Sequence, residues 1–347
     1  MKGLCVALVV VVIAAAGCTS AGYYGQSIRG QLSILVKRRS FESILDDPRA
    51  DRDLRSKLER VAQMRDFASS ELDLPDNGSY RSYVELDREH VVYNVVAAEE
   101  FSVDAKTWCF PVVGCVAYRG YFKREKAARF ASRLDEEGYD TTVDGVAAYS
   151  TLGWFRDPVL STFLDRSESS LAALLFHELA HEKVYVKGDS AFNESYATTV
   201  ELAGLERFLD TDAAQAVLET ARIRRERQAD FSALVAACRD RLLPIYADAK
   251  LSDDNKRARK ADAIAALVAE YRGLRDGEWA GYPGYDAWFE QDLNNAHLAS
   301  VGTYSTLVPE FQRLLASLDG DLSAFHAAVK ELGRLDFEER RRRLDRT

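Results

Sequence analysis

The run HELAHEKVYVKGDSAFNES, residues 177–195, decides how the rest of the chain is read. His177, Glu178 and His181 stand at H-E-x-x-H spacing inside Ser167 to Val186, a segment without Gly or Pro that opens with Ser and Glu residues suited to a helix cap. On one continuous helix, residues four apart lie one turn above each other, so the two imidazoles share a face and can share one metal ion. Glu178 then lies beside a metal-activated water. A catalytic zinc takes three protein ligands, and Lys187, Gly188 and Asp189 break the first helix before a second, Asn193 to Phe208. A helix, a short turn and an antiparallel helix carry Glu194 back towards the histidines. The expected metal set is therefore His177, His181 and Glu194, holding one Zn2+ per chain, with Glu178 as general base. Two candidates follow on the second helix for orienting the imidazoles: Thr198 is one turn past Glu194, and Glu201 is two turns past it on the same face.

Asn-Glu near the start of that second helix resembles the gluzincin class of zinc peptidases, which includes thermolysin and aminopeptidase N. Several blocks resemble more narrowly the putative aminopeptidase family of bacterial lipoproteins: TWCFPVVGCVAYRGYF at 107–122, AYSTLGWFRDP at 148–158, HELAHEKVYVKGDSAFNES at 177–195 and NNAHLASVGTYSTLVPEF at 294–311. The resemblance covers most of the mature chain. It implies a zincin-like fold and hydrolysis of peptide bonds, with Glu178 passing a proton from water to the leaving amine. Such chemistry uses an oxyanion donor besides zinc, commonly Tyr or His. The candidates are Tyr304 and His297, in the last block, and Tyr185, one turn beyond His181 if the helix continues. Substrate in this class pairs with an edge strand, expected at Val143 to Thr151 with Gly145 permitting close approach. The Gly-Ala-Met-Glu-Asn signature of aminopeptidase N is absent there, replaced by Gly145, Val146, Ala147, Ala148 and Tyr149. The carboxylate that captures a free α-amine is thus missing, with Glu99, Glu100 and Asp157 as substitutes. The reading from another class is a non-catalytic envelope lipoprotein, stabilised by metal and acting as a binding or assembly factor. A purely structural zinc, however, is closed by a fourth ligand and has no use for Glu178.

Outward from this run, the chain reads as α+β, a small mixed sheet followed by a predominantly helical zincin-like body. Residues 18–78 carry apolar positions at helical spacing, Leu32, Ile34 and Leu35, then Leu54, Leu58, Val61 and Met64, closed by the loop signal Pro75-Asp76-Asn77-Gly78. From 79 to 347 the chain forms the peptidase domain, with the sheet at about 88–152 and helices over about 158–347. Strands are expected at His90–Ala97, Trp108–Phe122 and Thr141–Tyr149, with a crossover helix, Lys123–Glu137, ended by Gly138. Long amphipathic helices follow at Asp212–Leu243, stopped by Pro244, and Asn255–Leu274. The aromatic loop from Gly277 to Tyr285 is expected to be a packed connection rather than a lid.

The N-terminus sets the compartment. Lys2, an apolar run from Leu4 to Ala16 too short to span a bilayer permanently, and Ala15-Ala16-Gly17 before Cys18 resemble a bacterial lipobox, with residues 1–17 the signal peptide and Cys18 lipidated. Thr19 and Ser20, rather than Asp, imply the outer membrane, with the body facing the periplasm. Export permits disulfides, and Cys109 and Cys115 are spaced for a local bridge across turn residues, whether or not one forms. Cys238, in an apolar run, reads as an inert core thiol. The formal net charge of −9 excludes a broad phosphate-binding surface, so the expected partners are a peptide and, through lipid, a membrane, with no nucleic acid. The basic run Arg340–Arg343, flanked by acids, reads as a solvated helix end.

Overall fold

The computed structural model describes residues 23, 25–27, 29–110, 114–146, 156–209, 211–301 and 307–346. Cys18, its leader and Tyr304 lie outside the described residues, as does the stretch 147–151 of the expected substrate strand.

The arrangement is α+β, as expected, and its helices are built around three apolar cores. After α1 (residues 29–37), β1 (Arg39–Ser40) and α2 (Phe41–Leu45), helix α3 (Arg52–Ser70) starts at Asp51, whose side chain accepts from the Leu54 amide. Leu58, Val61, Met64 and Ala68 recur on its buried face at three- and four-residue steps. β2 (Ser82–Val84) pairs antiparallel with β1 and parallel with β8 (Val159–Leu160), which makes this the mixed sheet. The sheet expected to be mixed is instead antiparallel: β3 (Val92–Glu99) lies between β6 (Arg119–Tyr121) and β7 (Tyr139–Val146). Both neighbours run against β3, and α4 (Arg124–Glu136) crosses between them, ending where Gly138 takes φ +89°. A separate hairpin, β4 (Trp108–Phe110) and β5 (Gly114–Val116), brings Cys109 opposite Cys115, and the two are disulfide-bonded.

A short α5 (Ser161–Leu164) leads into α6 (Glu168–Lys183), capped by Ser167, and α7 (Ser190–Phe208), capped by Asp189. On α6 the buried apolar residues Leu171, Ala172, Leu175, Phe176, Leu179 and Ala180 make one broad face, whereas on α7 burial extends around more of the helix, from Phe192 and Tyr196 to Leu202 and Leu205. The contacts Phe176–Gly204, His177–Glu201 and Val186–Asn193 run in opposite chain directions, so the pair is antiparallel. Gly204 sets how close they come: a Cβ there would stand 2.6 Å from Phe176 Cδ2 and 2.8 Å from Leu72 Cδ1. α6 is shorter than expected, because Val184 turns extended and Gly188 adopts φ +83°.

α8 (Thr211–Ala247) and α9 (Asp253–Asp276) form a hairpin over the second core. Pro244 lies within α8 rather than stopping it, since only three helical residues follow and little of the ladder is lost. The Gly277–Tyr285 loop is packed: Trp279 is buried and donates to Asp230, and the Tyr285 hydroxyl donates to Gln228. The chain continues through α10 (Asp286–Phe289), α11 (Asn295–Ser300), α12 (Val308–Ser317), α13 (Leu322–Gly333) and α14 (Phe337–Leu344). Arg340 overturns the solvated reading of the basic run, since it is buried against Asp189, while Arg342 and Arg343 remain exposed and pair with Glu339. Among the described residues no helix is long and apolar enough to cross a membrane.

Candidate metal centre

Tertiary packing brings His177, His181 and Glu194 together. The two Nε2 atoms are 3.2 Å apart, His177 Nε2 is 3.3 Å from Glu194 Oε2, and His181 Nε2 is 3.5 Å from Glu194 Oε1. Ligands bound at about 2.0–2.1 Å on a tetrahedral ion stand about 3.3 Å from one another. The two imidazole nitrogens thus stand at the separation of two ligands on one ion, and each has a different Glu194 oxygen beside it. With one donor atom taken from each residue the three lie within 4.8 Å of one another, a set of two imidazoles and a carboxylate whose chemistry suits zinc.

Glu201 accepts from His177 Nδ1 at 3.0 Å, which fixes the ring with Nε2 turned towards His181 and Glu194. Thr198 makes no hydrogen bond to either imidazole among the described residues. Among the described residues His181 Nδ1 is buried with no hydrogen-bond partner. Burial opposes charge on His177, but its hydrogen bonds to Glu194 and Glu201 push its pKa up to about 10. Burial and the neighbouring His177 charge push His181 down to about 4, leaving it neutral. Burial acts to raise Glu194, yet the His177 hydrogen bond and the nearby imidazole charges hold it below the ordinary value.

Glu178 has no hydrogen-bond partner among the described residues. Burial raises its carboxyl to about 7, opposed by His177 and aided by Glu194, Asp157 and Glu182. An acid with that value exchanges protons readily at neutral pH. One turn along α6 from Glu178, Glu182 accepts from Asn77 Nδ2 at 2.6 Å, in a loop held by Arg65 of α3, which is fully buried and donates to the carbonyls of Pro75, Asn77 and Ser79. The same loop holds the chain before β8, because the Tyr80 amide donates to the Asp157 carbonyl.

The remaining sequence candidates separate. His297 is engaged in the capping box of α11 with Asn294, its Nε2 meets Gln291, and its ring lies edge-on to Trp288; it is a satisfied core histidine in the second core's neighbourhood. Tyr185 falls beyond the end of α6, so it is not one turn above His181, and it is half exposed. Glu100 is committed to Arg257 and Lys260, and Glu99 lies at the far end of β3, whereas the charge of Asp157 reaches Glu178. Gly145 lies on β7, an outer strand of its sheet, and a Cβ there would stand 2.5 Å from the His90 ring. An open cleft of about 720 Å3, lined by Thr199, Glu206, Glu219, Arg222 and Gln312, lies on the other side of α7 and contains none of the metal donors. Sequence reasoning missed Asp189 and Arg340 as partners; the only available signal was an Asp three residues before Phe192, a helix-cap spacing.

A family model described as "Putative aminopeptidase" matches residues 22–344. The chain belongs to that family. No curated protein and no solved structure matches it. For a member of the putative aminopeptidase family, the match spans every helix of the candidate centre, so family membership and the donor triangle concern the same part of the molecule.

Proposed function

We propose that this chain is a zinc-dependent peptidase, with His177, His181 and Glu194 holding the ion and Glu178 serving as general base. The observation that carries the reading is the gathering of three donor side chains, with contacts of 3.2–3.5 Å, beside a half-buried carboxyl that has no hydrogen-bond partner among the described residues. When bound, zinc supplies a Lewis acid that acidifies water and polarises a carbonyl. Glu201 orients His177, and the packed α6–α7 interface holds both imidazoles in place before substrate arrives. Glu178 accepts the proton of the attacking water and delivers it to the leaving nitrogen. The low-dielectric surroundings that raise its pKa are what make it basic enough at neutral pH. Exopeptidase action on a free amino terminus is supported by the family name, and of the three substitute carboxylates Asp157 is the one whose charge reaches the site. Tyr304 is our proposed oxyanion donor. Lipid on Cys18 tethers the protein to the envelope, facing the periplasm.

Metal analysis of the protein tests the centre: about one zinc per chain is expected, and His177→Ala or His181→Ala should remove it. Protein purified gently, empty of metal and unable to take zinc up, would overturn the reading. Hydrolysis of amino-acid amides and free-ended peptides, compared with amino-blocked peptides, tests the exopeptidase assignment; equal rates on blocked peptides reject it. Cys18→Ser should release the protein from membranes, and unchanged partitioning rejects the tether.

A further inference from the structure

The turn between the two metal-bearing helices is sealed by the C-terminal helix. Asp189 is 5% exposed and serves two partners: its Oδ1 accepts from the Phe192 amide as the cap of α7, and its Oδ2 pairs with the Arg340 guanidinium. Arg340, 7% exposed by side chain, also donates to the Leu332 and Leu335 carbonyls and lies over the Phe192 ring at 5.2 Å. Arg341 adds a second cation 3.8 Å from Asp189 Oδ1. Beside them Asn193 bridges the turn twice, accepting from the Val186 amide and donating to the Val186 carbonyl, both at 2.8 Å. Gly333 fits against Val186, where a Cβ would come within 2.8 Å of Cγ2.

Glu194 follows Asn193 directly, and a one-residue slip at the start of α7 rotates it by about 100° away from the histidines. A buried ion pair is costly to desolvate, and its best-attested return is a defined register rather than stability. We propose that Arg340, acting through Asp189, is a positioning residue for Glu194: the C-terminal helix sets the register of α7 and thereby the third corner of the metal triangle, although nothing in α14 touches the site. This inference rests on the reading of Glu194 as a metal ligand.

Zinc affinity of the full chain, measured by competition with a chromophoric chelator, tests it. Arg340→Gln should weaken zinc by about 10- to 100-fold, the range for residues that orient a ligand from behind it. Asp189→Asn keeps a capping side chain but loses the ion pair, so it should show the same loss with native circular dichroism, and it serves where Arg340→Gln fails to fold. Arg340→Lys should recover only part, because an ammonium does not reproduce the forked contacts to Asp189 and two carbonyls. In a Glu194→Ala background Arg340→Gln should change affinity by less than about twofold, since the two act in series. A merely structural role would loosen the histidines as well and give an equal loss in both backgrounds; that result overturns the proposal. So does wild-type affinity in both Arg340→Gln and Asp189→Asn while His177→Ala abolishes binding. If His177→Ala itself binds zinc like wild type, the metal reading has failed, and the proposal falls with it.

Discussion

The α6–α7 pair and the α8–α9 hairpin are both antiparallel helix pairs, yet they bury opposite things. α6 and α7 are enclosed by α3, α12 and α13, and the polar groups left between them, His177, His181, Glu194 and Glu201, face one another. The hairpin is one-sided: Val235, Cys238 and Leu242 meet Ala263, Leu267 and Tyr271, while charged residues such as Arg241 and Glu270 pair in solvent. Its one buried reactive group, Cys238, is pushed up to about 11 by burial and stays a thiol. Burial shifts pKa values in both pairs, but among the described residues of these two pairs only α6–α7 gathers groups whose shifts oppose each other at one point, which is what makes it the candidate site.

The largest effect that sharpens this contrast is expected from Glu178→Gln, which should lower kcat/KM by roughly 10²–10⁴-fold while leaving zinc content at the wild-type level. A variant that keeps its activity removes Glu178 from the mechanism. Next, Leu267→Ala should cost the hairpin about 2–5 kcal/mol in urea unfolding and leave zinc affinity unchanged. Equal loss of zinc would show that the two regions are not separable.

A third and smaller effect is on pH dependence. The Glu178 carboxyl titrates at about 7 against an ordinary 4.5, so protonation favours the folded state. Its contribution to stability is complete below pH 4.5 and is lost as pH rises through 7, by about 1 kcal/mol per pH unit. In chelator, wild type should lose stability relative to Glu178→Gln over that window, and added zinc should shrink the difference because a nearby cation favours the carboxylate. Parallel stability curves break the assignment. Smallest of all, Arg241→Ala should change stability by less than about 1 kcal/mol, its pair with Glu270 being solvent-exposed; a larger value would mean that the hairpin depends on its surface.

Much of this was legible along the chain because it follows from local periodicity. The H-E-x-x-H spacing places two imidazoles on one face of any helix, and Glu201, seven residues past Glu194, was legible for the same reason. The helix of residues 124–136 and the buried faces of α3 and α9 also follow from spacing. What went astray depended on three-dimensional context that spacing does not show. Pro244 sits inside α8 because its position near the helix end makes it tolerable. His297 reads as a possible donor until Asn294 and Gln291 are seen to engage it. Arg340 reads as solvated among four arginines, and nothing local distinguishes the one that Asp189 buries.

The sequence by itself determined the pair His177 and His181, the position of Glu178 beside them, and the alternation of sheet and helices, since each depends on residues within one or two turns. Only the tertiary structure decided that Glu194 closes the triangle, that Glu201 rather than Thr198 holds His177, and that the C-terminal helix seals the turn between α6 and α7. These depend on the angle and register at which two helices meet. Close packing at Gly204 and a buried ion pair 151 residues apart in sequence set those quantities, and no local pattern encodes them.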